Sequence, residues 1–189
     1  MFDARRSRLV VRRFVTATLG LGHSVLGVAV ASATIVVPAD FSEMVGGSQT
    51  IVHGRVSDVR SQMTGARRSI ESVVTVEVTA SLKGEARASV VFRVPNGQVG
   101  RYRRITVGAP ELARGDEVIV FLEGRAPALP MPFGLTQGVY RVARAADGGA
   151  VVTPLLASDP GRVVRGDPAR RPLPVEAFSR HVRAMVTPR

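Results

Sequence analysis

Residues 51–84 constrain the fold of this chain more than any other stretch. Two runs rich in valine and isoleucine flank a polar, glycine-containing loop, which is the pattern of a long β-hairpin. In the second run apolar and polar residues alternate with a period of two, as in a strand with one buried face. The apolar residues of that run are Val74, Val76, Val78, Ala80 and Leu82. We therefore expect long strands over residues 50–60 and 70–82, with a shared core.

Shorter strands are expected further along the chain. Val90, Phe92 and Val94 alternate with polar positions in a predicted strand over residues 88–94. Residues 117–122 are apolar on both faces, which is typical of a strand in the middle of a sheet. Ile105 and Val107 are candidates for a short edge strand. The remaining two predicted strands, residues 139–144 and 150–154, flank an Asp-Gly-Gly turn and form a second hairpin.

Two helices are expected, one at each end of these strands. Asp40 is placed to cap a brief helix over residues 41–45, with a Gly-Gly pair to end it. Pro174 suits the first position of a terminal helix. The predicted apolar stripe of that helix, expected to dock on the strands, is Val175, Phe178, Val182 and Met185.

The pattern as a whole predicts a mainly β fold. Runs of strands with a short N-terminal helix and a C-terminal helix favour a small closed or partly open β-barrel of the OB-like kind. We assign residues 34–157 to the barrel domain, 158–172 to a loop or linker, and 173–189 to the helix packed on it. The linker is rich in glycine, proline, aspartate and arginine.

The first 33 residues have the pattern of a secretory signal peptide. Five arginines precede an apolar run from Phe14, and Ala31-Ser32-Ala33 is a small-residue cleavage site. The alternative is an uncleaved anchor, because residues 14–33 are 20 residues long, enough to span a bilayer. The pair Arg12-Arg13 leaves open whether export follows the general or the twin-arginine route. The sequence therefore predicts a periplasmic or secreted protein.

The composition narrows the chemistry of an exported domain. The chain has no cysteine, which excludes disulfides, thiolate metal sites and a cysteine nucleophile. The formal charge is +11, and residues 34–189 keep 21 basic and 14 acidic side chains, a net +7. Such a charge attracts anionic envelope polymers, lipid head groups or acidic partners. The alternative explanation of this positive charge is a GC-rich genome rather than selection for binding, since 25 of the 26 basic residues are arginine.

Sequence motifs of known catalytic and metal sites are absent. His53 and His181 do not stand in a metal-ligand spacing, and we expect structural or surface roles for both. The chain has no GxSxG elbow, P-loop or dinucleotide fingerprint. Glu111 and the Asp116-Glu117 pair are acids near a turn, where carboxylates are usually solvated. The sequence therefore predicts a non-enzymatic protein with no cofactor and no metal.

The strongest candidate binding site is a short basic segment. Three guanidinium groups surround one aromatic ring in Arg101-Tyr102-Arg103-Arg104, and Arg93 faces outward from the preceding strand. Arginine and tyrosine together stack on bases or sugars and bind phosphates. The alternative is a solvated surface loop, because runs of like charge are common on surfaces.

The order of several short motifs resembles a known family. The motifs are Ile51-Val52-His53-Gly54-Arg55-Val56, the valine-rich run 74–78, Leu82-Lys83-Gly84 and the run Gly115-Asp116-Glu117-Val118-Ile119-Val120-Phe121-Leu122. Together they resemble the OB-type barrel of netrin-like modules and tissue inhibitors of metalloproteinases. The chain is more closely similar to exported bacterial proteins of unknown role that add a Gly-x-x-Gln-Gly stretch, here residues 134–138. The resemblance covers about residues 50–142.

The resemblance implies a barrel that binds another protein. The inhibitors block a protease zinc with an N-terminal cysteine, whereas the predicted mature chain here begins at Thr34. We therefore expect an exported, non-enzymatic binding module, protein-binding or protease-inhibitor-like. The alternative is a module that binds an anionic polymer, such as an envelope glycan, lipid head group or nucleic acid, through the basic patch. An enzyme is the third alternative.

Overall fold

The computed structural model describes residues 39–65, 69–124, 126–144, 148–155 and 171–186. The predicted leader, residues 66–68 of the first hairpin tip and residues 158–170 of the predicted linker lie outside the described residues. The strands are Thr50–Thr64 (β1), Ser69–Lys83 (β2), Ser89–Val94 (β3), Gly97–Val99 (β4), Tyr102–Arg104 (β5), Glu117–Glu123 (β6), Met131–Pro132 (β7), Val139–Arg144 (β8), Ala150–Pro154 (β9) and Leu173–Pro174 (β10). The helices are Phe41–Gly47 (α1) and Val175–Val186 (α2), and Leu135–Gly138 is a 3-10 turn.

Eight of the ten strands form one antiparallel sheet. Its order is β10-β9-β8-β6-β1-β2-β3, with β7 paired to β6, while β4 and β5 form a separate two-stranded sheet. The prediction of a mainly β fold with an early helix and a terminal helix is therefore confirmed. The sheet does not close on itself through strand pairing, so the predicted barrel is not established.

The long hairpin β1–β2 is longer than predicted. Its pairing runs from Ile51 opposite Lys83 to Thr64 opposite Ser69. The expected alternation holds at Val74 and Val76 of β2, which are fully buried. At the start of β1 four consecutive residues, 51–54, are all buried. Both faces of β1 are covered there, because Ile51 packs in the apolar cluster that holds the helices and Val52 packs in the cluster that holds β2 and β3. The register of β1 also shifts three times between residues 51 and 58.

Gly54 lies at a close approach of β1 and β2. A Cβ atom at this position would stand 2.1 Å from the Glu77 carbonyl oxygen and 2.7 Å from Val76 Cγ1. A glycine inside a strand often marks such an approach of two backbones. The structure therefore explains this glycine in the middle of a valine-rich strand.

Strand β6 lies between two apolar clusters, as its sequence predicts. Ile119 and Phe121 belong to one cluster, together with side chains of both helices and of β8 and β9. Val118, Val120 and Leu122 belong to the other cluster, with the inner faces of β1, β2 and β3. All five β6 side chains are essentially inaccessible to water. The described core therefore consists of two apolar layers, and strands β1, β2, β6 and β8 contribute side chains to both.

The two helices pack together on the first cluster. Phe41 of α1 makes edge-to-face contacts with Phe121 and Phe178, with ring centroids 5.8 and 5.5 Å apart. Asp40 holds the N-cap position of α1 but makes no side-chain capping bond, contrary to the prediction. Helix α2 begins at Val175, because Pro174 pairs with β9 in β10 instead of opening the helix.

The predicted apolar stripe of α2 is only partly correct. Val175, Phe178 and Val182 are buried in the first cluster, but Met185 is 40% exposed. The predicted edge strand at Ile105 and Val107 is wrong, since these residues form a loop after β5. Neither helix in the described part of the chain is long and apolar enough to cross a bilayer.

Candidate functional site

The basic segment singled out in the sequence lies on a β-hairpin. Strands β4 and β5 pair from Gly97 opposite Arg104 to Val99 opposite Tyr102, and we call residues 97–104 the arginine hairpin. Gly97 allows the hairpin to lie directly on the β1–β2 strands. A Cβ atom there would meet the hydroxyls of Ser61 and Ser72 at 2.5 and 2.7 Å, and its φ of +145° suits glycine.

Polar contacts fasten the arginine hairpin at this point. The backbone N–H of Gln98 donates a hydrogen bond of 3.1 Å to the Ser61 hydroxyl. That hydroxyl lies 3.1 Å from the Ser72 hydroxyl. Ser72 also donates to the Asn96 carbonyl at 2.9 Å. These bonds account for Ser72, a polar residue that is 6% exposed on the otherwise apolar inner face of β2. The base of the hairpin is therefore fixed, while its tip carries the charge.

The guanidinium groups of the hairpin differ in their partners. Arg101 lies over the Tyr102 ring, 5.1 Å from its centroid, and donates to the Tyr102 hydroxyl at 2.9 Å. Arg104 donates to the Ser69 hydroxyl and, at 3.4 Å, to the Ile70 carbonyl. Arg103 faces the Glu111 carboxylate at 3.6 Å, where both side chains are more than half exposed. An exposed ion pair of this kind contributes only about 0–1 kcal/mol.

Arg93 is held by other neighbours than the hairpin residues. Its guanidinium contacts the Glu71 carboxylate at 3.4 Å and the Leu129 carbonyl at 3.4 Å. Glu71 is 13% exposed in its side chain, so the Arg93 charge is partly neutralised. Arg101, Tyr102, Arg103 and Arg104 are therefore brought together on one hairpin, and Arg93 has a separate partner on β2.

Exposed apolar side chains surround the arginine hairpin. Ile105 and Val107 are 75% and 74% exposed, and Tyr102 and Met63 are 53% and 43% exposed. Four of the seven large exposed apolar side chains among the described residues are therefore on or beside this hairpin. The sequence indicated Ile105 and Val107 only as strand residues. Their exposure depends on the loop that follows β5, and no local pattern predicts it.

Two concave surfaces lie beside the hairpin and share Arg103, Arg104 and Ile105. The first, which we call the apolar groove, has a volume of about 610 Å³ and is also lined by Met63, Ile70 and Tyr102. The second, which we call the cleft, has a volume of about 650 Å³ and lies between the hairpin and residues 105–116. Sequence reasoning missed Arg141, which lines the cleft and contacts Asp116 at 3.2 Å, because the two are 25 residues apart.

The two predicted structural histidines have ordinary surroundings. His53 Nε2 lies 2.9 Å from a Glu117 oxygen, and Arg55 approaches the same carboxylate at 3.7 Å. The His181 ring stacks on Phe41 with centroids 5.3 Å apart. Within the described ranges, no group of three or more histidine or acidic side chains is arranged to hold a metal ion.

Comparison with known proteins leaves the class of this protein open. No protein-family model matches the chain, and neither the curated proteins nor the solved structures yielded a match. The arguments for a function therefore rest on the arginine hairpin and the surfaces beside it.

Proposed function

We propose that this protein is an exported, non-enzymatic binding module that takes an acidic segment of a partner protein on the arginine hairpin and the apolar groove. The observation that carries the proposal is the mixture of exposed Met63, Tyr102 and Ile105 with Arg103 and Arg104 around one groove. Tyrosine, methionine and arginine are enriched at the centres of protein interfaces. A partner with apolar and acidic side chains would match both components of this surface.

The charge of the surface supports an acidic partner. The acid that faces Arg103 is the 83% exposed Glu111, and the partners of Arg104 are a hydroxyl and a carbonyl. An incoming carboxylate therefore gains charge-assisted hydrogen bonds and displaces only a weak surface pair. The signal-like leader, which would carry the module out of the cytoplasm, is part of the same proposal.

A barrel of the OB-like or netrin-like kind is the fold we propose for the module. The sheet contains five successive strands in the order β7, β6, β1, β2 and β3. The backbone N–H of Arg93 in β3 donates to the Pro130 carbonyl at 2.9 Å, next to β7. This bond supports closure between β3 and β7. If the barrel closes, the Arg93 amide should exchange with deuterium as slowly as the paired amides of β2. Exchange as fast as that of exposed loop amides would contradict closure.

The partner-binding proposal is tested with purified components. The protein is used to capture secreted or envelope proteins from its source, and the captured protein is purified and titrated against defined variants. We expect the double variant Y102S/I105S to weaken binding about tenfold or more, because loss of such anchors typically costs at least about 2 kcal/mol. The matched control is V91S/M185S, two side chains with 37% and 40% exposure that do not line the groove. Equal weakening by both double variants, or no partner that binds in purified form, would contradict the proposal.

Binding of an anionic polymer is the second candidate, favoured by Arg101 and Arg104, which have no acidic partner among the described residues. The probe is heparin, and the observable is how its affinity falls with salt. Each phosphate or sulfate contact adds about 0.7–0.9 to the slope of log affinity against log salt. We expect R101Q/R103Q/R104Q to lower that slope by about two. The control R55Q/R60Q/R87Q removes the same charge from three paired arginines. An equal loss of slope in both would show that net charge, not the hairpin, drives binding.

A further inference from the structure

Most residues that line the cleft do not belong to the proposed partner-binding surface. Its volume of about 650 Å³ lies within the range of about 300–1,000 Å³ that is typical of small-molecule sites. We propose that the cleft binds a small amphipathic oxyanion, with its carboxylate or phosphate head on Arg103 and Arg104 and its hydrocarbon part on the cleft floor. This inference goes beyond the proposed function, because the ligand is a small molecule and its hydrocarbon part lies on the cleft floor, although Arg103 and Arg104 belong to both surfaces.

The floor of the cleft is an opening into the apolar core. Val59, Ala109 and Leu112 line the cleft and are three of the five partly buried apolar residues that pack against the second core cluster. A ligand that covers their exposed parts gains about 25 cal/mol for each Å² of apolar surface removed from water. The floor therefore favours a hydrocarbon part over a wholly polar ligand.

The neutral polar side chains of the cleft already donate hydrogen bonds within the protein. Each of four such side chains donates a hydrogen bond to a backbone carbonyl in the same region. They are Ser72, Asn96, Gln98 and Thr106, and the accepting carbonyls are those of Asn96, Pro110, Gly100 and Pro95, respectively. The Asn96 and Gln98 amides each keep a second N–H, and the charged donors left for a ligand are those of the arginines.

The acids of the cleft do not cancel the charge of Arg103 and Arg104. Asp116 already accepts hydrogen bonds from the Ala113 amide at 3.0 Å and from Arg141 at 3.2 Å. Glu111 approaches Arg103 only to 3.6 Å and is 83% exposed. A guanidinium has five donors in a planar fork, and a carboxylate or phosphate engages two of them at once. An oxyanion head is therefore the group that these two arginines fit.

The test uses three probes that share one hydrocarbon chain: octanoate, octyl phosphate and octanol. Titration calorimetry at neutral pH should show that at least one of the two anions binds and that octanol binds more weakly. Binding of only one anion assigns the head group. If neither anion binds, or if octanol binds as tightly as both, the proposal is overturned.

Substitutions on the two parts of the cleft separate head from floor. We expect R103Q/R104Q to weaken the anions about tenfold or more and to leave octanol unchanged, because charge-assisted hydrogen bonds are lost. Leu112→Asp, at a half-buried loop position, should weaken all three probes. The arginine variants replace exposed side chains, so they decide the question even if Leu112→Asp fails to fold.

The control variants separate this site from the proposed partner surface. Arg101 and Tyr102 belong to the hairpin but do not line the cleft. Arg101→Gln and Tyr102→Ser should therefore leave octanoate affinity unchanged, whereas Tyr102→Ser should weaken a protein partner. If Arg101→Gln weakens octanoate as much as R103Q/R104Q does, binding follows the overall charge of the hairpin and the cleft proposal is wrong.

Discussion

Two glycines of this protein lie where one strand passes very close to another. Gly54 and Gly97 have no side chain, and in each case a Cβ atom would fall within 3 Å of an atom on a neighbouring strand. Gly54 permits the close pairing of β1 with β2. Gly97 permits the arginine hairpin to lie on Ser61 and Ser72. One residue type therefore determines both the shape of the long hairpin and the position of the candidate site.

The first prediction concerns Gly54. Gly54→Ala should lower the free energy of unfolding by about 1–3 kcal/mol, the usual cost of overpacking, because its Cβ collides with the Glu77 carbonyl. Chemical denaturation measures this difference. The control is Gly46→Ala, a helical position where a Cβ would meet nothing within 4 Å. Equal stability of the two variants would contradict the contact described here.

At the scale of elements, α2 is held by its aromatic centre rather than by its whole apolar stripe. Phe178 contacts Phe41, Phe121 and Tyr140, and its ring centroid lies 4.8 Å from that of Tyr140. Met185 stands on the same predicted stripe but is 40% exposed. The attachment of the helix therefore depends on Val175, Phe178 and Val182, while Val186 is only partly buried against the same cluster.

The second prediction compares these two side chains. Phe178→Ala should destabilise the protein by about 3–5 kcal/mol, because it leaves a cavity between both helices and the sheet. Met185→Ala, in the last turn of the same helix, should change stability by less than about 1 kcal/mol. Thermal denaturation followed by circular dichroism measures both. A similar loss in the two variants would show that the whole stripe carries the docking.

Residue patterns predicted the elements whose faces are uniform and missed those set by distant contacts. The period of two in β2 and the doubly apolar run of β6 are local signals, and both strands form as expected. The burial of both faces of β1 at residues 51–54 has no local signal, because it depends on side chains of distant elements. The arginines of the candidate site were visible in the sequence. The cleft was not, because Val59, Leu112 and Arg141 meet only in the folded chain.

At the scale of the whole molecule, the two core clusters are built in part from the same strands. The first cluster joins the helices to β6, β8 and β9, and the second joins β6 to β1, β2 and β3. Strands β1 and β6 contribute side chains to both. A disturbance in either layer is therefore transmitted through the shared strands, and we expect the domain to unfold as one unit.

The third prediction tests this coupling with a probe in one layer and a substitution in the other. Tyr140 is buried in the first cluster and Phe92 in the second. Phe92→Ala should remove about 3–5 kcal/mol and lower the melting temperature by roughly 6–20 °C. The Tyr140 near-ultraviolet signal and the far-ultraviolet signal should shift together. A Tyr140 transition that stays at the wild-type temperature would mean that the layers melt separately.

The position of α1 also limits how far the amino terminus can be trimmed. Phe41 is fully buried between Phe121 and Phe178, directly after Asp40 at the helix start. Cleavage before Ala39 leaves Phe41 in the domain, whereas cleavage after Phe41 removes a buried aromatic side chain from the core. A shortened chain that keeps the folded domain must therefore retain Phe41.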